Sequence, residues 1–488
     1  MVRIAACCVV FGLSMLLLSG PAFCASVGSL PTGRYMANVS GLGEVCTPAG
    51  PATSFPDFVF SGGQYAYVVF GGDYDQLNWA GWTTDVKHYA ICRDNATPWF
   101  GIWVAGLGDM NDDGDNDVLI GDTRHQNFRD WDENYGICYA LYDIAEPMAA
   151  GRTELDLDDP GNSAVVAKIT TDQVQTLFAC CSQIVGDVDG DDYADLLIGE
   201  SGWSPMGVEA RQERYACGRA CLFFGSEEFS DTGTTSASVV LLTGEDRNDH
   251  LGAAVSTVGY MGDDPMALDQ YADFAVGAPW FDKLVGETWT ENAGRVYVFF
   301  GDDSMTATHA TDANIIITGE TADSFFGSAI GSGDFDGDGA GDLVVGACGY
   351  DNQKGRAYVF FADSLLSDGD GLIDAADADV TIDGLEALDL FGNAVSTAGK
   401  FFGQMVEEDA LIVGAPGVED KKGAFYVFDM SSASSSMTAE DADYQITGLD
   451  EGDEVGLSVT NLGKVDADLD SDVGVVASGE LLIHDEGN

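Results

Sequence analysis

Short apolar runs broken by glycine-rich turns dominate this chain. VLIG (118–121), LLIG (196–199) and LVVGA (343–347) each follow an acidic loop and predict an apolar strand. Between them lie alternating stretches such as VVLLTGE, NIIITGE, DVTIDGL and DYQITGL, which predict one more strand per unit. Helical periodicity is scarce and 62 glycines punctuate the chain throughout, so the fold class is all-β.

The runs recur in a fixed order: an aromatic-small pair, an acidic loop, an apolar strand, a glycine turn and a second strand. The fullest copy, FFGSAIGSGDFDGDGAGDLVVGACGYDNQKGRAYVFF, begins at Phe325. Further units with complete loops start at Phe100 and Phe178, and units with eroded loops at Leu251, Phe391 and Val455. A stub from Asp57 matches the back half alone. The aspartate before the apolar strand recurs at Asp57, Asp117, Asp195, Asp273, Asp342, near Asp409 and at Asp472. Steps of about seventy residues hold a four-stranded blade. A radial repeat of such blades is a β-propeller, here predicted over residues 55–488 with seven blades, or six as the alternative, behind an N-terminal lead segment at 26–54.

The acidic loops carry a second message. Asp334, Asp336, Asp338 and Asp342 stand at positions 1, 3, 5 and 9 of one loop. Asp187, Asp189, Asp191 and Asp195 repeat the spacing, as do Asp109, Asn111, Asp113 and Asp117. Oxygens at alternate residues of a turn converge on one point, and the position-7 carbonyls of Asp115, Tyr193 and Ala340 would add to the shell. An all-oxygen set without sulfur or imidazole suits calcium rather than zinc or copper, and fits magnesium's strict octahedron less well. Gly114 and Gly339 fill position 6, where a left-handed turn is expected, and Asp192 takes that place in the middle loop. An EF-hand is disfavoured because Ile120, Ile198 and Val345 occupy position 12, where that loop needs glutamate. Three calcium sites are therefore expected, with Asp466, Asp468 and Asp472 as a weaker fourth. Tyr260, Lys400 and Lys464 head the other loops, and an ammonium at that position takes the cation's electrostatic place.

The unit resembles the FG-GAP repeat of integrin α-chain propellers and their bacterial relatives. Phe326-Gly327 and Phe391-Gly392 match the FG; Gly277-Ala278-Pro279 and Gly414-Ala415-Pro416 match the GAP. Phe178-Ala179, Leu251-Gly252 and Val455-Gly456 depart from FG, and GDT, GES and GAC stand for GAP at Gly121, Gly199 and Gly346. The resemblance implies a seven-bladed propeller with calcium on one face, and a role in adhesion or ligand recognition.

The opening MVRIAACCVVFGLSMLLLSGPAFCAS reads as a secretory signal peptide over residues 1–25, too short in its apolar run for a membrane span. A secreted or cell-surface protein is expected, with the periplasm as the alternative compartment. Of 11 cysteines, Cys7, Cys8 and Cys24 fall near this leader, leaving eight. Disulfides are expected for that even number in an oxidising compartment. Cys180, Cys181, Cys217 and Cys221 share one repeat, which predicts local bridges, with adjacent Cys180 and Cys181 on opposite strand faces.

The chain holds 82 acids against 20 bases, a formal charge of −62. Calcium in every blade would leave most of that charge in place. The excess disfavours nucleic acid and anionic membrane as direct partners, and fits either saline surroundings or an acidic face for a cationic or calcium-bridged partner. His88, His125, His250, His309 and His484 form no catalytic motif, and no Ser-His-Asp or HExxH signature occurs. The expected function is non-enzymatic: an extracellular recognition or adhesion module for protein or glycan. The alternatives are a calcium-dependent polysaccharide lyase or hydrolase and a structural envelope component. The candidate contact loops are aromatic-rich insertions at Tyr74–Asp85, Arg124–Tyr135 and Phe281–Asn292, with Trp79, Trp82, Trp131 and Trp289 as contacts unless these rings pack between blades.

Overall fold

A computed structural model describes strands within residues 33–142 and most of 154–484. Residues 1–32, 39–57, 70–87, 109–116, 126–134, 143–153, 206–215, 262–270, 403–407, 464–470 and 485–488 are among those outside the description.

The described residues form seven successive sheets of three to five strands, besides a small two-stranded hairpin. Within each sheet the strands of one repeat form an antiparallel meander. In the fifth, Ala329–Gly333, Asp342–Ala347, Arg356–Phe360 and Val380–Asp383 follow one another outward. The second strand is buried at all six positions in DLLIGE (195–200), DFAVGA (273–278), DLVVGA (342–347) and ALIVGA (410–415). A neighbouring sheet covers each of its faces, which is why these strands read as apolar runs rather than alternating ones.

The first strands of successive sheets pack side by side: Phe100–Gly108, Phe178–Gly186, Ala254–Gly259, Ala329–Gly333, Ala394–Gly399 and Ser458–Gly463. Gly33–Asn38 packs against both Phe100–Gly108 and Ser458–Gly463, so the series closes on itself. This is a β-propeller. Gly33–Asn38 lies in the stretch expected to be a lead segment, yet it pairs with Phe58–Gly62 as the inner strand of the first sheet.

The apolar core is a set of seams between sheets. One joins Val296, Val298 and Ile317 of the fourth sheet to Leu343, Val345, Tyr358 and Phe360 of the fifth. Phe326 lies in this seam, edge-on to Tyr358 at 5.2 Å, and Phe391 meets Tyr426 at 5.5 Å in the next. The glycine after each of these residues bridges two sheets. Gly327 and Gly392 adopt φ of 85° and 79° and donate to the carbonyls of Gly346 and Gly414 at 3.1 Å. Their own carbonyls press on the preceding sheet, where a Cβ at Gly277 or Gly346 would lie 2.3 or 2.0 Å from them. The Phe-Gly and Gly-Ala-Pro glycines therefore face each other across one seam.

A second set of contacts closes the rim. The connection between third and fourth strands reaches back and pairs, parallel, with the outer strand of the preceding sheet. Glu154–Asp156 does so on His88–Cys92, Leu372–Asp374 on Ile315–Thr318, and Ser436–Thr438 on Val380–Asp383. Pairing of this kind covers an otherwise open edge.

The cysteine expectation needs correction. Cys138, Cys180, Cys181, Cys217, Cys221 and Cys348 carry free thiols. Cys180 and Cys181 do not point to opposite faces. Ala179 takes a left-handed φ of 61°, and the turn brings both sulfurs to the Gly252 carbonyl, at 3.4 and 3.2 Å.

Candidate metal centres

The loops Asp187–Asp195 and Asp334–Asp342 each connect a first strand to a second. Strand direction alternates, so these loops share one end of the ring, and second-to-third connections share the other.

In the first loop, Asp187 Oδ1 accepts from the Gly190 and Asp191 N–H groups at 2.6 and 3.1 Å, and Oδ2 from Asp192 at 2.9 Å. In the second, Asp334 accepts from Gly337 at 2.8 Å and Gly339 at 3.2 Å. The leading carboxylate thus folds its own loop. Asp192 and Gly339 are left-handed at φ 74° and 89°, as position 6 requires, and Gly190 and Gly337 at position 4 are left-handed as well.

Carboxylate oxygens of Asp187, Asp189 and Asp195 lie within 4.8 Å of one another, as do those of Asp334, Asp336 and Asp338. Oxygens held ~2.3–2.6 Å from one hard cation can be no more than about 5 Å apart. The spacing and the all-oxygen chemistry therefore fit a divalent ion. Asp189 Oδ1 is buried without a hydrogen-bond partner, which an ion between these carboxylates would supply. Burial, reinforced by the neighbouring carboxylates, raises the Asp189 and Asp336 carboxyls above the usual range.

The position-9 aspartates brace their loops, and Asp195 also stands in the first carboxylate group. Asp195 accepts from Val188 N–H at 2.7 Å and Gly225 N–H at 2.9 Å; Asp342 accepts from Phe335 at 2.7 Å and Ala362 at 2.9 Å. Asp273 bonds Met261 and Gly301 in the same way, at 2.9 and 3.0 Å, below a loop headed by Tyr260. The brace is thus present with or without the acidic set. Burial pushes Asp195 and Asp342 up to about 7.

The sixth sheet shows the ammonium alternative. Lys400 Nζ lies 3.1 Å from Asp409 Oδ1. Gly399 pairs with Ala410 where Gly333 pairs with Asp342, so Asp409 stands one residue before the brace position. Its other oxygen accepts from the Asp334 N–H at 3.2 Å, tying this ion pair to the fifth sheet's loop.

Asp109, Asn111, Asp113 and Asp115 lie outside the described residues, as do Asp466, Asp468, Trp79, Trp82 and Trp131. Asp117 and Asp472 begin second strands, Asp117 fully buried. The position-7 residues Tyr193 and Ala340 donate their N–H groups to Asp191 and Asp338, at 3.0 and 2.8 Å. Of the aromatic insertions, Phe281–Asn292 is described. Phe281 is buried beneath the Arg295 guanidinium, 3.6 Å from the ring centroid. The rest forms a hairpin of Lys283–Val285 and Thr288–Thr290 at the end opposite the acidic loops.

A second repeated constellation escaped the sequence reading. Arg295 and Arg356 open third strands, and each pairs with a glutamate from the preceding connection, Glu245 at 2.7 Å and Glu320 at 3.2 Å. Each glutamate also accepts from a tyrosine, Tyr297 or Tyr358, at 2.7 or 2.9 Å. In the third sheet Arg219 and Glu200 form a buried pair, with Asp172 2.6 Å from the same guanidinium. The Gly-Arg pairs at 218–219, 294–295 and 355–356 were the available signal.

A family model for the FG-GAP repeat matches residues 326–360. Integrin alpha-5 of Xenopus laevis is 34% identical over 130 residues, covering 26% of this chain and 11% of the integrin. Human integrin alpha-IIb is 30% identical over 171 residues, covering 34% and 14%. Phosphatidylinositol-glycan-specific phospholipase D of Bos taurus is 29% identical over 187 residues, covering 37% and 20%. The chain thus spans a fifth or less of each of these relatives' length. Among solved structures, Chaetomium thermophilum Sqt1 superposes with a TM-score of 0.45 at 11% identity, over 93% of this chain and 82% of that one.

Proposed function

We propose that this FG-GAP, integrin-α-like protein is a secreted, calcium-stabilised propeller of seven blades that recognises an extracellular protein or glycan. The blade count rests on the seven successive sheets and on Gly33–Asn38 lying between the first strands of its neighbours. Calcium is the ion because the clustered donors are carboxylates on flexible loops, and calcium tolerates irregular shells of ~6–8 oxygens. The ions stiffen the rim. Each loop's first residue already offers its carbonyl to the next sheet, Asp187 to Ala272 N–H and Asp334 to Asp409 N–H, both at 2.7 Å.

The recognition reading is carried by the hairpin at the other end. Leu284, Val285 and Trp289 are 53%, 57% and 58% exposed on its strands. Large apolar groups clustered on a projecting element mark a contact surface, and tryptophan is a frequent energetic anchor of interfaces. The strongly acidic composition selects a neutral or cationic partner.

The test is a combined glycan and extracellular-protein array, probed with and without calcium, using the wild-type chain and a Leu284→Ser/Trp289→Ala variant of unchanged melting behaviour. A ligand that binds wild type and is lost by the variant supports the reading. Equal binding by both chains removes the hairpin from recognition.

A further inference from the structure

We propose that Cys180 and Cys181 form a redox-reactive dithiol that closes to a vicinal disulfide in exchange with a low-molecular-weight disulfide, and that closure loosens the seam between the third and fourth sheets.

The backbone sets up the pair. Phe178 pairs with Glu200 and Ser182 with Ile198, so residues 179–181 together oppose Gly199 alone. This bulge, with the left-handed Ala179 and a Cys180 N–H bond to Leu177 O at 3.0 Å, takes both cysteines out of the ladder. Their sulfurs converge on one carbonyl, that of Gly252.

Exposure and acidity then separate the two thiols. Cys180 is half-buried, whereas Cys138, Cys181, Cys217, Cys221 and Cys348 are buried. Its sulfur also lies 3.5 Å from Ser201 Oγ. The hydrogen bond from the Cys181 thiol pulls Cys180 down to about 7, and the same bond raises Cys181. An acidified, less buried thiol beside a second thiol is the arrangement of an attacking and a resolving cysteine.

The exchange balances without a further reactant. The Cys180 thiolate attacks one sulfur of the small disulfide and expels one small thiolate, leaving a mixed disulfide. The Cys181 thiolate attacks the Cys180 sulfur and expels the second. Two electrons pass to the small disulfide, and the two protons of the protein thiols end on the two small thiols.

The consequence is local to one seam. Gly252 belongs to the fourth sheet, and its carbonyl presses on the third, where a Cβ at Gly199 would lie 2.1 Å away. Both thiols approach that carbonyl as donors. An S–H of the reduced pair can donate to that carbonyl from either sulfur, whereas a disulfide has no S–H and can donate from neither.

The experiment treats the full chain with oxidised glutathione and maps the products. Trypsin cuts after Lys168 and Arg211, so the pair travels on one peptide without another cysteine. The expected product is that peptide short of two hydrogens and free of adduct, with a lowered melting temperature that dithiothreitol restores. Cys181→Ser should trap a glutathione adduct on Cys180, and Cys180→Ser should abolish the change. Under limiting reagent Cys180 should react at least about ten-fold faster than Cys217. A stable wild-type adduct, a link from Cys180 or Cys181 to another cysteine, or an unchanged melting temperature on closure would each overturn the proposal.

Discussion

Replacing Gly346 by alanine tests how the sheets are held together. Gly346 lies inside the second strand of the fifth sheet, and its new Cβ would sit 2.0 Å from the Gly392 carbonyl oxygen and 3.1 Å from its carbon. Both obstacles are backbone, so no side chain can swing aside. To regain the 3.4 Å of ordinary contact, the fifth and sixth sheets must part by roughly 1.4 Å. Overpacking of this kind costs ~1–3 kcal/mol. The displaced Gly392 also donates to Gly414 O at 3.1 Å, a bond whose net worth is about 1 kcal/mol. The expected loss is about 3 kcal/mol, roughly a hundred-fold in the folding equilibrium. Gly369→Ala is the control, because nothing lies within 4 Å of its Cβ position and its φ is unstrained. It should stay within about 0.5 kcal/mol of wild type. Urea denaturation and thermal melting of the three proteins decide the matter. If Gly346→Ala unfolds at the same urea concentration as Gly369→Ala, the seam is not close-packed and the account of the two glycines is wrong.

Phe391→Ala removes a fully buried ring from the seam between the fifth and sixth sheets and should cost ~3–5 kcal/mol, read as a lowered urea midpoint. Arg219→Met strands the buried Glu200 carboxylate and should cost ~3–5 kcal/mol, part of which Arg219→Met/Glu200→Leu recovers; a double variant no better than the single one would refute the pairing. Chelation should lower the melting temperature of wild type, and Asp334→Asn should remove only part of that effect because Asp187–Asp195 is a separate site. Asp195 and Asp342 are raised from 3.8 to about 7 in the metal-free fold, so their neutral forms favour the native state. That contribution is complete below about pH 4 and lost as pH rises through about 7. The calcium-induced rise in melting temperature should therefore shrink from about pH 8 to about pH 6, since the ion must then displace protons; a constant increment would contradict the assignment.

Much of this protein is legible in one dimension. The spacing of aspartates and the recurring apolar strands announce the repeat, because each blade must bury the same strand between the same neighbours. The acidic loops are legible for a related reason: a local turn brings positions 1 and 3 together within a few residues, as the grouping of Asp187 with Asp189 and of Asp334 with Asp336 shows. Lys400 at the head of its loop is legible as a charge among acids, and in the fold it pairs with Asp409.

What needed the tertiary structure was whatever one sheet does to the next. Gly346 and Gly392 are far apart in sequence, and their mutual contact exists only once two blades stack. The bracing role of Asp195 depends on Gly225, thirty residues on, and only the fold reveals it. The cysteines misled for the same reason. Composition suggests bridges, whereas a left-handed residue at Ala179 turns two adjacent thiols onto a carbonyl of the neighbouring sheet. Periodicity reports contacts that repeat with the chain. Contacts made once, across a seam, leave no period to read, and they decide how the blades are locked and where the two adjacent thiols point.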